Sequence, residues 1–254
     1  MPEFQNVHPI LLHFGHLTLP TFGVLAAVGL MAALALSLRT ATIVGLSPDR
    51  LWNAGLFVLL SAFVLSRLLL VVMYLHAFLT YPILLLAVPS LTPLGLLLTG
   101  VVTLLYLRVR RLPLLTTLDA WAPCATLIWA FLALGHFAEG SDPGLPTSQP
   151  WGFAMASGGI RLHPVALYAV IVALLLTTAL LRQLRHRSHR GDVAVSGIAA
   201  VGITQFLLTF LRQPDPAVEL FGRVLDPIQW VALGMIVVAG VIWLQPRKLV
   251  SHAV

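Results

Sequence analysis

The chain is poor in cysteine and in charge. A single cysteine, Cys124, stands among 254 residues, so no disulfide can close within the chain and no cysteine-based metal site is available. Charged residues make up 9 % of the sequence, against roughly 25 % in an average soluble domain. A soluble protein of this composition could not cover its surface with polar groups, which excludes a cytosolic enzyme, a disordered chain and a nucleic-acid binder. The pI near 10.4 does not restore the last class, because a handful of arginines sets it. The nine histidines are scattered and show neither HExxH nor another zinc spacing, so no metal and no cofactor is expected. The arm before the first apolar run holds Glu3, three histidines and no lysine or arginine. It therefore lacks the basic region of a cleavable signal peptide.

What the sequence has is apolar length. Hydrophobic residues are 59 % of the chain and the mean hydropathy is +0.95. A helix needs about 20 apolar residues to cross the hydrocarbon core. Runs of that kind fall at 17–38, 52–78, 93–107, 115–137, 163–181, 193–211 and 226–244. The third is short and can begin near Tyr81, with a break at Pro89 and Pro93. The expected fold is all-α: a polytopic membrane protein of about seven transmembrane helices, forming one integral-membrane domain over 1–254. Residues 1–16 form an outer arm, 138–162 an outer loop and 182–192 a cytoplasmic basic loop.

Basic residues orient the spans. Arg39, Arg50, Arg108, Arg110, Arg111, Arg182, Arg185, Arg187, Arg190, Arg247 and Lys248 fall in alternate connecting segments; the intervening ones hold only Arg161, Arg212 and Arg223. The positive-inside rule makes the first group cytoplasmic, with the N-terminus outside and the C-terminus inside. The clusters at 108–111 and 182–190 read as topology anchors touching anionic headgroups.

Function is sought in the polar residues that topology leaves over. Arg67 lies deep in the second run, about 12 residues from its outer end, close to 18 Å at 1.5 Å per residue. An ionisable group at that depth calls for a buried partner or a bound anion. The outer segment from Gly135 to Tyr168 carries His136, Glu139, Asp142, Arg161, His163 and Tyr168. His136 and Glu139 share a helix face if the helix continues, where a histidine–carboxylate pair can act as a general base; the alternative is an interfacial histidine at a helix end. His163-Pro164 opens the fifth run, where proline suits the first helical turn. Arg212 lies on the side that should have few positive charges. Arg67, Arg161 and Arg212 together could clamp a phosphate, since guanidinium forks match phosphate oxygens. Asp119 reads as an N-terminal cap. Gly95 with Gly100, and Gly197 with Gly202, permit close helix approach. Trp129, Trp230 and Trp243 are interface or packing residues, and Cys124 an inert core thiol.

In order along the chain, these motifs resemble the prolipoprotein diacylglyceryl transferase family. "VHPILLHFGHLTLPTFG" is similar to that family's amphipathic start, and "LSRLLLVVMY" to its Gly-Ala-Arg-Leu-x-Tyr-Val segment, with Arg67 as the arginine. "LDAWAP" resembles its Asp-x-x-Ala-Pro entry through Asp119, Ala122 and Pro123. "GHFAEGSDPG" is similar to its central signature through Gly135, Phe137, Gly140 and Gly144. "RLHPVALY" matches through His163, Pro164, Leu167 and Tyr168, and "QFLLTFLRQPD" through Phe206, Phe210, Arg212, Pro214 and Asp215.

The resemblance implies a multi-pass protein of the bacterial cytoplasmic (inner) membrane. It implies transfer of diacylglyceryl from a phospholipid such as phosphatidylglycerol to a lipobox cysteine thiol of a preprolipoprotein. With the leftover polar residues, it makes His136, His163 and Glu139 the catalytic candidates, and Arg67, Arg161, Arg212, Gly144 and Tyr168 the phospholipid-binding ones. The chain also departs from the family pattern. Leu94 stands where the family has its histidine, Ala133 and Gln205 where it has arginines, Thr209 a glutamate, His136 an asparagine and Phe22 a tyrosine. These departures leave a second reading open, a catalytically impaired relative that binds lipid or a membrane partner.

Overall fold

The computed structural model describes residues 10–14, 17–76, 93–154, 160–213 and 225–244. Among them are seven helices: α1 (Thr21–Val44), α2 (Pro48–Met73), α3 (Pro93–Val109), α4 (Leu114–Glu139), α5 (Val165–Arg185), α6 (Asp192–Thr209) and α7 (Pro227–Leu244). Six are long and apolar enough to cross a membrane, and α3 is shorter. The expected start of the third span near Tyr81, and Arg223, Arg247 and Lys248, lie outside the described residues.

The all-α expectation holds for the spans and fails beside them. In the N-terminal arm, β1 (Ile10–Phe14) pairs antiparallel with β2 (Leu17–Pro20). In the connection between α4 and α5, β3 (Phe153–Ala154) pairs with β4 (Arg161–Leu162). The first span was expected from residue 17. Residues 17–20 are instead used as strand, and the helix begins behind Pro20, whose extended φ of −69° and ψ of 134° suit an N-cap.

The bundle is built around α4, which packs against α1, α5 and α6 and touches α3. Lipid tails are as apolar as leucine, so close packing of small residues, rather than escape from solvent, holds such helices together. The sequence supplies them at helical spacing. On α1 the buried positions include Gly29, Ala33, Ser37 and Ala41. On α5 they include Ala169, Ala173 and Thr177. Thr126 of α4 and Thr177 of α5 are hydrogen-bonded at 2.9 Å across that interface. A Cβ on Gly29 would lie 2.5 Å from Cβ of Phe131, so α1 and α4 meet there backbone to ring. Of the glycines expected to allow close approach, Gly202 does so, since a Cβ there would lie 2.9 Å from the Ala232 carbonyl oxygen of α7, whereas Gly100 faces open space. Large side chains such as Leu60, Val72, Leu97 and Val241 face outward, the pattern of a surface bathed in lipid.

Asp119 does not cap its own helix. It lies in the second turn of α4, fully buried, and its carboxylate caps α6 from outside. Oδ1 accepts the backbone N–H groups of Val193 (3.1 Å) and Ala194 (3.0 Å), and Oδ2 that of Gly191 (2.7 Å). Oδ2 also pairs with Arg187 Nη1 at 2.9 Å. Arg187 is therefore not a headgroup anchor; its side chain is 9 % exposed and is held inside the protein. The first-turn N–H groups of a helix carry partial positive charge and lack intrahelical partners, which is why a carboxylate is stable there.

Helix α3 ends differently from its neighbours. Arg111 N–H bonds to the Arg108 carbonyl (3.1 Å) and Leu112 N–H to that of Leu107 (2.9 Å). This Schellman pattern is sealed by contact between buried Leu107 and Leu112. Its left-handed residue is Arg111, with φ of 54°. α1 and α4 use glycines, Gly45 and Gly140, at the equivalent place. An L-residue in this conformation costs about 1–2 kcal/mol.

Candidate functional site

At the end of the bundle opposite Asp119, residues 143–147 run as an extended strap between two edges. Leu145 N–H bonds to the Leu211 carbonyl (2.8 Å), and Gln213 N–H to that of Pro143 (3.1 Å). On the other edge, His163 N–H bonds to the Leu145 carbonyl (3.0 Å), and Thr147 N–H to that of Arg161 (2.7 Å). Gly144 is at the centre. A Cβ there would collide with the His163 carbonyl oxygen and lie 2.8 Å from its Cβ. Only glycine lets the strap lie this close to the start of α5.

The strap roofs a cavity of about 260 Å³. His136, Phe137, Asp142, Gly144, Phe153 and His163 are among its lining residues. The last turn of α4 supplies His136, because α4 runs to Glu139 before Gly140 (φ 65°) ends it. His136 Nδ1 is 2.8 Å from Ser141 Oγ, and its ring lies 4.8 Å from that of Phe22. No hydrogen bond or ion pair joins His136 to Glu139 among the described residues, so the expected histidine–carboxylate pair is not formed.

His163 Nδ1 lies 3.3 Å from Tyr168 Oη, and Trp151 Nε1–H donates to that same oxygen at 2.8 Å. The indole N–H can only donate, so Tyr168 accepts from it and keeps its own proton free to give. His163 is thereby held between the strap, through its backbone, and the Trp151–Tyr168 pair, through its ring. Trp151 was not singled out from sequence. Its role depends on the β3–β4 ribbon folding the loop back over α5, and no local pattern announces that.

The three arginines are not gathered into one clamp. Arg212 Nη2 forms an ion pair at 3.0 Å with Asp142, which lines the cavity. Arg161 is exposed on β4 and donates to the Pro150 carbonyl at 3.3 Å. Arg67 is buried on α2, with its guanidinium 5.9 Å from the Phe63 ring. It lies six residues before the end of α2 at Met73, about 9 Å at 1.5 Å per residue; the expected end of that span at 78 lies outside the described residues. Arg67, Arg161 and Arg212 do not line the cavity.

The end of α6 carries Gln205 and Thr209, and Arg212 follows three residues beyond it, bridged to Gly144. Thr209 Oγ1 donates to the Gln205 carbonyl at 2.7 Å. Gln205 Oε1 and Arg212 Nε are buried without a hydrogen-bond partner among the described residues. Ala133, one helix over, sits in an apolar cluster with Val165, Ala169 and Leu208.

The family model described as prolipoprotein diacylglyceryl transferase matches residues 9–245. The chain belongs to the prolipoprotein diacylglyceryl transferase family. It is similar to proteins named phosphatidylglycerol–prolipoprotein diacylglyceryl transferase from several bacteria. With that of Geobacter sulfurreducens it shares 29 % identity over 233 residues, 86 % of this chain and 87 % of the relative. With that of Idiomarina loihiensis the identity is 30 % over 156 residues, covering 59 % and 58 %. With that of Cupriavidus metallidurans it is 34 % over 151 residues, covering 56 % and 54 %. The match thus spans a little over half the length of several of these relatives and nearly all of one. Family membership and the apolar helices together make this a multi-pass membrane protein.

Proposed function

We propose that this family member moves a diacylglyceryl group from an anionic phospholipid such as phosphatidylglycerol to the thiol of a lipobox cysteine in a preprolipoprotein. The N-terminus would lie outside the bacterial inner membrane and the His136 end would face outward. In the reaction the cysteine thiol gives its proton to a base, and the sulfur attacks the glyceryl carbon that carries the phosphate ester. The C–S bond forms as the C–O bond breaks, and glycerol-1-phosphate leaves with the electron pair. A thiol of pKa about 8.5 is mostly protonated at neutral pH, so a base accelerates the step.

The observation that carries the reading is the cavity under the strap. It brings two imidazoles together with Asp142, whose carboxylate holds Arg212 just outside the lining, at one end of an apolar bundle. His163 is the base of choice in the tautomer whose Nδ1–H donates to Tyr168 Oη, which leaves Nε2 to accept the thiol proton. His136 lies across the same cavity, and Glu139, one turn on, is left to modulate the field. Arg212 meets the phosphate, with Gly144 allowing the approach and Tyr168 offering a hydroxyl. Arg67 and Arg161 keep a smaller part, each offering a guanidinium to a phosphate arriving from its own side. The orphaned Arg212 Nε–H and Gln205 Oε1 support the reading, since buried polar atoms left unpaired cost about 1–3 kcal/mol each and a polar ligand would relieve that.

A second reading is favoured by one observation. Ala133, where the family has an arginine, is walled by Val165, Ala169 and Leu208, an environment hostile to any substitute cation. A lipid-binding protein without transfer chemistry would keep the fold and lose the charge. Expression in a bacterial strain depleted of its own diacylglyceryl transferase separates the two, with membrane insertion verified and a lipobox reporter followed by mass spectrometry. Transfer predicts a diacylglyceryl thioether on the reporter that His163→Gln and Arg212→Gln abolish. An inserted protein that leaves the reporter unmodified refutes transfer.

A further inference from the structure

A second polar cavity lies at the other end of the bundle. It measures about 390 Å³ and is lined by Arg50 and Asn53 from the start of α2, Tyr106 from the last turn of α3, and Arg110, Arg111 and Leu112 just beyond it. No carboxylate lines it; Asp49, next to Arg50 in sequence, is exposed and outside the lining. The floor is apolar, since Leu112 packs with Leu107, Ala54 and Trp121. Trp121 belongs to the N-terminal half of α4, so this is the end that also holds Asp119.

A topology anchor needs only positive charge near the membrane surface. It needs neither a cavity nor a particular backbone conformation. Both are present here. Arg111 occupies a left-handed position, φ 54°, that glycine fills at the ends of α1 and α4. Strain of this kind is retained where the side chain is used. The Arg110 guanidinium lies 5.6 Å from the centre of the Tyr106 ring. Tyr106 is itself stacked on Phe57 of α2 at 4.1 Å. That stack fixes the arginine's direction and ties α3 to α2, whose Arg50 faces the same space.

We propose that Arg50, Arg110 and Arg111 form a binding site for the phosphate-bearing headgroup of an anionic lipid in the leaflet facing this end. Guanidinium forks match phosphate oxygens in pairs. The apolar floor and the lipid-facing sides of α2 and α3 leave room for the acyl chains to follow. The site is separate from the His136 cavity and does not depend on transfer chemistry there.

The test uses the full-length protein in detergent, titrated with dioleoyl-phosphatidylglycerol or dioleoyl-phosphatidylcholine and read by native mass spectrometry. Wild type is expected to retain one more phosphatidylglycerol than the Arg50→Gln/Arg111→Gly variant, whose apparent Kd for that lipid rises roughly tenfold or more. Arg111→Gly alone keeps the variant set interpretable, because glycine suits the left-handed position. It should unfold at the wild-type temperature or above it without lipid, and gain less than wild type when phosphatidylglycerol is added. Equal retention of phosphatidylglycerol by wild type and the double variant overturns the proposal. So does equal retention of phosphatidylcholine and phosphatidylglycerol at this site. Inorganic phosphate at millimolar concentration that displaces the extra lipid and reproduces its thermal stabilisation would make this a free-anion site, and would also overturn it.

Discussion

Replacing Asp119 with alanine tests whether one carboxylate locks α4, α6 and the 182–192 loop together. The side chain is fully buried and accepts four hydrogen bonds at 2.7–3.1 Å, three from backbone N–H groups and one from Arg187. Two losses follow. The Arg187 guanidinium, itself 9 % exposed, is left without its carboxylate; removing one partner of a buried ion pair costs about 3–5 kcal/mol. Three first-turn N–H groups of α6 also lose their acceptor, at about 1–3 kcal/mol each if nothing replaces it. Water at the membrane surface can reach this end, so most of the second loss is recovered. The expected total is about 4–6 kcal/mol. For a chain of this size that lowers Tm by roughly 10–20 °C.

The assay uses the chain's own chemistry. Cys124 is the sole cysteine and is 5 % exposed, so a thiol-reactive dye added to detergent-solubilised protein reports unfolding, with tryptophan fluorescence as a second probe. Arg187→Leu should cost less, since the carboxylate keeps its three N–H donors. The double variant Asp119→Ala/Arg187→Leu should be less damaged than the sum of the singles by at least about 1 kcal/mol, because the stranded guanidinium is gone. An Asp119→Ala protein melting within roughly 2 °C of wild type would refute the reasoning, as would strict additivity in the double variant.

Gly144→Ala should unseat the strap from His163 and abolish reporter lipidation while the helical circular dichroism of the bundle persists; retained lipidation would show that the strap can move aside. Trp151→Phe keeps the ring but removes the donor to Tyr168. It should lower the transfer rate about tenfold without changing Tm, a barrier change near 1.4 kcal/mol, and an unchanged rate would remove Trp151 from the orienting chain. Asp142→Asn should raise retention of phosphatidylglycerol at the strap cavity several-fold in native mass spectrometry, whereas Arg212→Gln lowers it. A fall for both variants would make Asp142 a positioning partner of Arg212 rather than a competitor for it.

Periodicity and apolar length were enough to find the helices, because a membrane span must satisfy all its backbone groups internally and so leaves a long signal. The ends were less legible. Leu17–Pro20 reads as apolar span and folds as strand, because the partner that pairs it, Ile10–Phe14, is set by tertiary structure. Arg187 reads as one more basic loop residue, since nothing local announces a carboxylate 68 positions away. At the candidate site, His136, Gly144, His163 and Arg212 were visible as polar or turn-forming residues left over by topology. Their grouping through residues 143–147 was not, for it depends on backbone hydrogen bonds to two segments distant in sequence. The three-arginine clamp was not legible for the same reason: residue type suggested a shared ligand, but Arg67 lies beside Phe63, Arg161 on the Pro150 carbonyl and Arg212 on Asp142.

The charge around the strap decides how a phosphate could be held. Arg212 is already engaged by Asp142 at 3.0 Å, with both side chains about one-fifth exposed, so a phosphate must compete with a carboxylate instead of meeting a free cation. Such a pair contributes little to folding, because near the surface its Coulomb gain is offset by side-chain entropy and screening. It does hold the arginine on Asp142, a residue of the cavity lining, before ligand arrives. A phosphate oxygen displacing Asp142 then exchanges one charge-assisted hydrogen bond for another, and the net gain must come from the groups the carboxylate does not satisfy. Arg212 Nε–H and Gln205 Oε1 are such groups, buried and unpartnered among the described residues. An ester phosphate is monoanionic or dianionic and carries several acceptor oxygens, and the alcohol of a glycerol headgroup can donate. On the proposed reading, a phospholipid with a hydroxylated anionic head would satisfy both orphans, whereas a choline head, lacking a donor, would leave Gln205 Oε1 unpaired. That difference would then be a physical reason for the groups beside the cavity to favour one lipid, even with Ala133 and Thr209 in place of charged groups.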